Sequence, residues 1–346
     1  MRKALTVLLF TAVASTAAAA QRVADFRFGG RGTLADLAPR EGGFLALVED
    51  DGLRLIPIDG FGVAQEGRSA RLDAGSARIA SRGGRPMLLW SSRGDTYLSE
   101  VTIGTTTEIA TSILLGTGGT TARHLACGPS RCAAVLLTPN GERIVIADDT
   151  RILRGIASAG ATSAVASDPA GFLVIDTSGD VVRLDLDGQE QVRARVNARG
   201  SHHALFFGTD YVVAYERDGS ILIARLADIG RSDGEVRIAS GGPATPFAMA
   251  TDGSQILFVH GPGSAATGPP QVRAIRLDAN LRQTGNEIRL SGTTGANRLP
   301  LAAWSEGAFL TAWSHADSIG GIERSAPQFA RVSPGGTVLR EGIVAT

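Results

Sequence analysis

Hydrophobic and polar positions recur along this chain in a unit of about forty residues, clearest between Gly171 and Asn197. Phe172-Leu173-Val174-Ile175 is a short apolar run. A turn at Ser178-Gly179 leads into residues 181–186, where valine and leucine return with polar residues between them. Asp187-Gly188 makes the next turn. Val192, Ala194 and Val196 then alternate with arginines, the pattern of a half-buried edge strand. With residues 162–166 in front, the unit predicts four strands.

The apolar second strand marks each unit. It begins at Phe44, Met87, Ala134, Phe172, Tyr211, Ile256 and Phe309, at spacings of 43, 47, 38, 39, 45 and 53 residues. Propeller blades have this period. Glycine turns follow the marker at Gly52, Gly94, Gly141, Gly179 and Gly219, where hairpin geometry favours positive φ. Third strands are predicted at residues 53–58, 96–103, 143–147, 181–186, 221–226, 272–277 and 328–332. Fourth strands are weaker, the clearest at 235–239 and 287–290. The expected fold is all-β, a seven-bladed β-propeller of four-stranded antiparallel blades. Its blades should start near residues 33, 75, 120, 161, 200, 244 and 297. A β-sandwich is the competing architecture, but sandwiches rarely repeat one four-strand pattern seven times.

A second regularity precedes the marker. Ala38, Ala166, Ala250 and Ala303 stand six residues before it, and Ala80 and Ala126 lie within two residues of that offset. Leu205 holds the position in unit five. Small residues there suit innermost strands crowded around an axis, although alanine is frequent enough here for chance to compete.

Residues 276–292 (RLDANLRQTGNEIRLSG), 299–313 (LPLAAWSEGAFLTAW) and 183–188 (RLDLDG) resemble the repeats of secreted bacterial β-propeller-like proteins. In that group an Arg-Leu-Asp strand end passes through a glycine turn into a short strand. An alanine-rich strand and an aromatic-ended one follow. The resemblance is best in units four to seven, while units one to three keep only fragments such as Leu72-Asp73. It implies the fold and no activity, since many functions share it.

The first twenty residues change the address. Arg2 and Lys3 precede an apolar stretch, and Ala18-Ala19-Ala20 offers a cleavage site, so residues 1–20 read as a signal peptide cleaved near Ala20. Residues 21–346 would then form a single propeller domain, periplasmic or secreted. No cysteine follows the cleavage site to take a lipid anchor, and no later stretch is long enough for a membrane span. Beyond the signal, 32 arginines face 34 acidic residues, a net charge of −2 that gives no footprint for nucleic acid. Lys3 is the only lysine, so the mature chain has no lysine for a Schiff base or a general base.

Candidate chemistry is sparse. The chain has no G-x-S-x-G elbow, no H-E-x-x-H and no C-x-x-C, and nothing calls for a metal or other cofactor. Asp185 and Asp187 could face one Ca²⁺, but one pair falls short of the oxygens that ion needs, and a solvated turn is the stronger reading. Cys127 and Cys132 fit a disulfide across a four-residue hairpin loop in an exported chain. His124 and His203 stand two positions before the small-residue site, and Asp36 and Arg78 hold that offset in units one and two. In a propeller these four face one level of the axial channel. They are candidates for binding an anion or a small polar ligand, against the alternative of an unoccupied wet channel.

Residues 261–270 and 315–327 look like long insertions between second and third strands, on the face that carries the inter-blade links. The second adds His315, Asp317 and Glu323 as candidate contacts, with tolerated drift as the alternative. The Cys127–Cys132 loop should mark the opposite face. Residues 23–30 have no place in unit one, and 23–28 are expected to pair near 338–344 and close the ring. The chain therefore reads as an exported non-enzymatic binding or scaffold protein for an unknown protein, glycan or small polar ligand. An exported hydrolase or lyase with its site at the channel mouth is the alternative. It would require a carboxylate and a histidine held together near the axis.

Overall fold

A four-stranded meander with apolar residues on both faces must cover both, and each blade of this chain does so with its two neighbours. The computed structural model describes residues 32–196, 200–228, 231–240, 245–261, 271–292, 296–319 and 322–343. They form seven antiparallel sheets in a ring. Blade one holds β1 (Thr33–Arg40), β2 (Gly43–Glu49), β3 (Leu53–Asp59) and β4 (Ala70–Leu72). Blade two holds β5 (Ser76–Arg82), β6 (Arg85–Ser92) and β7 (Asp95–Ile103). Its fourth strand is split into β8 (Thr107–Ile109) and β9 (Ile113–Gly116), both paired with β7. Blade three runs β10 (Thr121–Cys127), β11 (Cys132–Thr138), β12 (Gly141–Ala147) and β13 (Ile152–Ala157). Blade four runs β14 (Thr162–Asp168), β15 (Gly171–Asp176), β16 (Asp180–Asp185) and β17 (Glu190–Arg195).

Blade five runs β18 (His202–Phe207), β19 (Asp210–Arg217), β20 (Ser220–Asp228) and β21 (Arg231–Ser240). Blade six runs β22 (Phe247–Thr251), β23 (Ile256–His260), β24 (Arg273–Leu277) and β25 (Ile288–Arg289). Blade seven runs β26 (Ala296–Ser305), β27 (Ala308–Ile319), β28 (Ile322–Val332) and β29 (Val338–Ile343).

The second strands are unbroken apolar runs because both their faces are covered. Along β2, Leu45 and Leu47 pack against Ala77, Ile79 and Leu88 of blade two. Phe44, Ala46 and Val48 point the other way, onto Leu310, Ala312 and Phe329 of blade seven. Successive side chains thus serve opposite neighbours, as the two-residue period of a strand dictates. The same packing joins blade one to blade seven, whose four strands all lie between residues 296 and 343. The proposed closing strand, residues 23–30, and the signal segment lie outside the described residues. Gly43 and Gly171 open second strands where any Cβ would strike the backbone of the third strand, at Ile58 and Leu184 respectively.

The Arg-Leu-Asp strand end has a physical division of labour. Its leucine is core: Leu184 and Leu277 are buried. Its aspartate holds the turn that follows. Asp185 Oδ1 accepts the amides of Asp187 and Gln189 (2.9 and 2.8 Å), and Asp278 Oδ1 those of Asn280 and Arg282 (2.8 and 2.9 Å). That oxygen of Asp185 is therefore a turn constraint. Its arginine ties strands and blades together. Arg276 donates to the Pro334 carbonyl of blade seven (2.9 Å). Arg225, equivalent in blade five, donates to the Ala279 carbonyl of blade six (2.6 Å). Blade one keeps the buried Ile58 and the capping Asp59, but places Pro57 where the arginine would stand.

One sequence expectation is overturned. Residues 315–319 and 322–327 are not a loop: β27 and β28 continue through them as a ladder, pairing His315 with Ala326 and Ser318 with Glu323. Polar residues there sit on strands that extend beyond the blade body, so their composition mimics a loop. Of the other expected insertion, residues 262–270 lie outside the described residues.

Cys127 ends β10, Cys132 begins β11, and the two form a disulfide with their Cα atoms 4.0 Å apart. Both are buried, and the intervening loop is closed by Gly128 N donating to Arg131 O at 2.8 Å. Antiparallel connectivity puts this loop on the face of the first-to-second and third-to-fourth strand turns. Arg131 accordingly pairs with Asp187, in the third-to-fourth turn of blade four. So short a covalent loop contributes only about 2 kcal/mol by chain entropy. Cys127→Ser should therefore leave a folded propeller whose unfolding free energy, measured in urea, is lowered by that amount. The unfolded wild-type chain should titrate no free thiol without reductant.

Candidate functional site

Register aligns the inner strands around the axis. Asp36 lies opposite Leu47, Arg78 opposite Leu89, His124 opposite Val135 and His203 opposite Ala214. Residues directly opposite in a ladder share a face, and each of those partners packs toward the next blade. The four side chains therefore occupy one level of blades one, two, three and five, each aimed at the following blade. Ala164, Ala248 and Leu301 fill the same position in blades four, six and seven. The level is thus polar along blades one to three and apolar elsewhere, apart from His203.

The polar arc is anchored by backbone. Asp36 Oδ1 accepts its neighbour's amide, from Leu37 (2.9 Å), and Oδ2 accepts Ile79 N of blade two (2.9 Å). His124 Nε2 donates to the Thr162 carbonyl of blade four at 3.1 Å, which leaves Nδ1 unprotonated in the neutral ring. Arg78 Nη1 donates to Ala77 O at 2.6 Å. These groups remain half-open to the channel, yet protein surrounds them. Burial raises the Asp36 carboxyl above its usual range, against the pull of the Ile79 amide and the Arg78 charge. Burial lowers the His124 imidazole, and Arg78 lowers it further. Arg78 thus couples the arc of blades one to three. His203 stands apart: its buried Nδ1 has no hydrogen-bond partner, and burial alone depresses it to about 4.

The other candidates lie elsewhere. His315 Nδ1 meets Asn297 Oδ1 at 2.8 Å, and Asn297 Nδ2 donates to Ser291 Oγ at 3.2 Å, linking blade seven to the end of blade six. Asp317 and Glu323 lie opposite Arg324 and Ser318 in the β27–β28 ladder. Two features escaped the sequence. Ser314, Ser91 and Ser163 each accept an amide of the next blade's inner strand, from Leu34 (2.9 Å), Ala122 (2.8 Å) and His202 (2.9 Å). Only the serine following the apolar second strand, in Trp90-Ser91 and Trp313-Ser314, could have hinted at this. The second is a groove of about 680 Å3 between β9 of blade two and the β11–β12 hairpin of blade three. Among the described residues no group of three His, Cys, Asp or Glu side chains is placed to hold a metal ion. No described helix is long and apolar enough to cross a membrane.

No family model matches the chain, and no curated protein matches it. Among solved structures, KlHsv2 with loop 6CD replaced by a Gly-Ser linker superposes with a TM-score of 0.56 at 12% identity. That match covers 87% of this chain and 99% of the other. BamB from Moraxella catarrhalis gives 0.48 at 12% identity, over 80% and 82% of the two chains. At such identities the likeness is one of fold.

The histidines make an acid-sensitivity prediction. His124, His202 and His203 are all lowered by burial, so between their folded and ordinary values the unfolded chain binds more protons. Their contribution to stability is complete above the ordinary value of 6.5 and is lost as pH falls; for His203 the loss runs down to about 4. Asp36, raised by burial, acts with the opposite sign and favours the fold when protonated. His203→Leu should flatten the loss between neutral pH and pH 4 by no more than about 3 kcal/mol, measured by urea unfolding at both pH values.

Proposed function

We propose that this chain is an exported, non-enzymatic β-propeller that binds a partner on the face carrying the inter-blade links. The observation that carries the proposal is the engagement of Asp36 and His124. A hydrolase or lyase at the channel mouth would need a carboxylate and an imidazole that meet each other and a substrate. Here each carboxylate oxygen accepts a backbone amide, and the imidazole donates to a backbone carbonyl. The groups best suited to proton transfer are spent on joining blades.

The link face is favoured because the β27–β28 hairpin, the longest in the protein's described residues, points from it. Asp317 and Glu323 belong to the strands of this hairpin, a position that supports contact with a protein, a glycan or a small polar ligand. The signal-like residues 1–20 and the disulfide support export to an oxidising compartment. No cofactor enters this proposal.

The test is capture of a partner from a cell-envelope extract by the tagged full chain. Replacing residues 317–324 with Asn-Gly preserves the Ala316–Ser325 pair and shortens only the projecting tip. Capture should fall at least tenfold while the melting temperature stays within about 2 °C of wild type. Undiminished capture by the shortened protein would assign binding to another surface. Asp36→Asn and His124→Gln should lower the melting temperature, as residues that join blades, rather than extinguish a hydrolytic activity.

A further inference from the structure

The groove between blades two and three has the form of a binding site. Leu114, which is exposed, lines it with Thr117 and Asn140, and Leu115 and Leu136 lie buried beneath. At about 680 Å3 it falls within the range of ligand pockets. Its opening follows from the split fourth strand of blade two. β9 pairs only with Thr96–Leu98 of β7 and then passes into the glycine link at Gly116, Gly118 and Gly119.

Charge is distributed unevenly in this groove. Glu142 lines it, but its carboxylate is nearly buried, accepts Thr162 N and faces Arg123 at 3.6 Å. Arg143 makes no hydrogen bond or ion pair among the described residues. Its guanidinium lies across β13 at Gly155, where any Cβ would collide with it. A charge that merely guarded an exposed edge strand would need no such seat, because water would serve it equally well. Gly155 leaves room for the guanidinium to lie against the sheet, and Arg143 lines the groove together with the exposed Leu114. Its unpaired donors form a planar fork suited to a carboxylate.

From this juxtaposition we infer that the groove binds a peptide segment, with an acidic side chain on Arg143 and an aliphatic side chain against Leu114. No aromatic ring is among the residues lining the groove, so Leu114 offers a place for an aliphatic side chain and there is no stacking surface. The inference rests on the reading of this chain as a binding protein but is independent of the blade-seven hairpin.

The test is selection of a random-peptide phage library on the full chain, followed by titration of synthetic versions of the recovered peptides. Recovered sequences should carry Asp or Glu close to Leu, Ile or Val. Arg143→Gln should weaken their binding at least tenfold, and Arg143→Glu should abolish it. Thr117→Trp, which fills the exposed wall without touching Arg143, should block it as well, and guards against a folding defect in the arginine variants. The variant shortened at residues 317–324 should bind these peptides like wild type, which separates this site from the proposed hairpin contact. Recovery of no peptides, recovery without acidic residues, or equal affinity for Arg143→Gln and wild type would each overturn the inference.

Discussion

An innermost propeller strand has a ladder partner on one side only, and the structure depends on how its other edge is satisfied. An amide buried there without a partner costs about 1–3 kcal/mol. The preceding blade supplies the acceptor at five interfaces: Ser314 to Leu34, Asp36 to Ile79, Ser91 to Ala122, Glu142 to Thr162 and Ser163 to His202. These bonds are not the main source of stability. Each interface also buries seven or more apolar side chains, and full burial of each large one is worth about 1.5–3 kcal/mol. Apolar packing draws the blades together without fixing how far one slides along the next. A directional bond to a single amide fixes that displacement.

This constraint also shapes what the axis can do. Asp36 and His124 would attract notice in any search for catalytic groups, and both are explained as joints between blades. The charge that acts on them, Arg78, keeps only one hydrogen bond, to its own strand. Asp36 thus joins blades one and two and His124 joins blades three and four, while Arg78 joins none.

Much of this was legible in the sequence. Phe172 to Ile175 announced a second strand because a strand covered on both faces must be apolar throughout, and that signal repeats at blade spacing. The offset that groups Asp36, Arg78, His124 and His203 was legible for the same reason, since repetition fixes register. Their bonds were not, because hydrogen bonds to backbone leave no trace in residue type. His315 to Pro327 read as a loop because strands that leave the blade body lose the apolar pattern that identifies strands. The seat of Arg143 in the groove was hidden because it depends on a glycine, Gly155, twelve residues later on another strand. Blade two's split outer strand was equally silent, for three-residue β8 and four-residue β9 are too short to show a period.

In the five amide joints, and in those of Arg225 and Arg276, the receiving group is backbone. Ile79 and Ala122 take part through their amides, as Ala279 and Pro334 do through their carbonyls. Any residue that keeps the strand, proline aside at the amides, can replace the receiver without breaking the joint. For these directional bonds, information has to be stored on only one side of the interface. Neighbouring blades can diverge in sequence independently, which is how one ring accommodates Pro57 in blade one where blades five and six rely on Arg225 and Arg276.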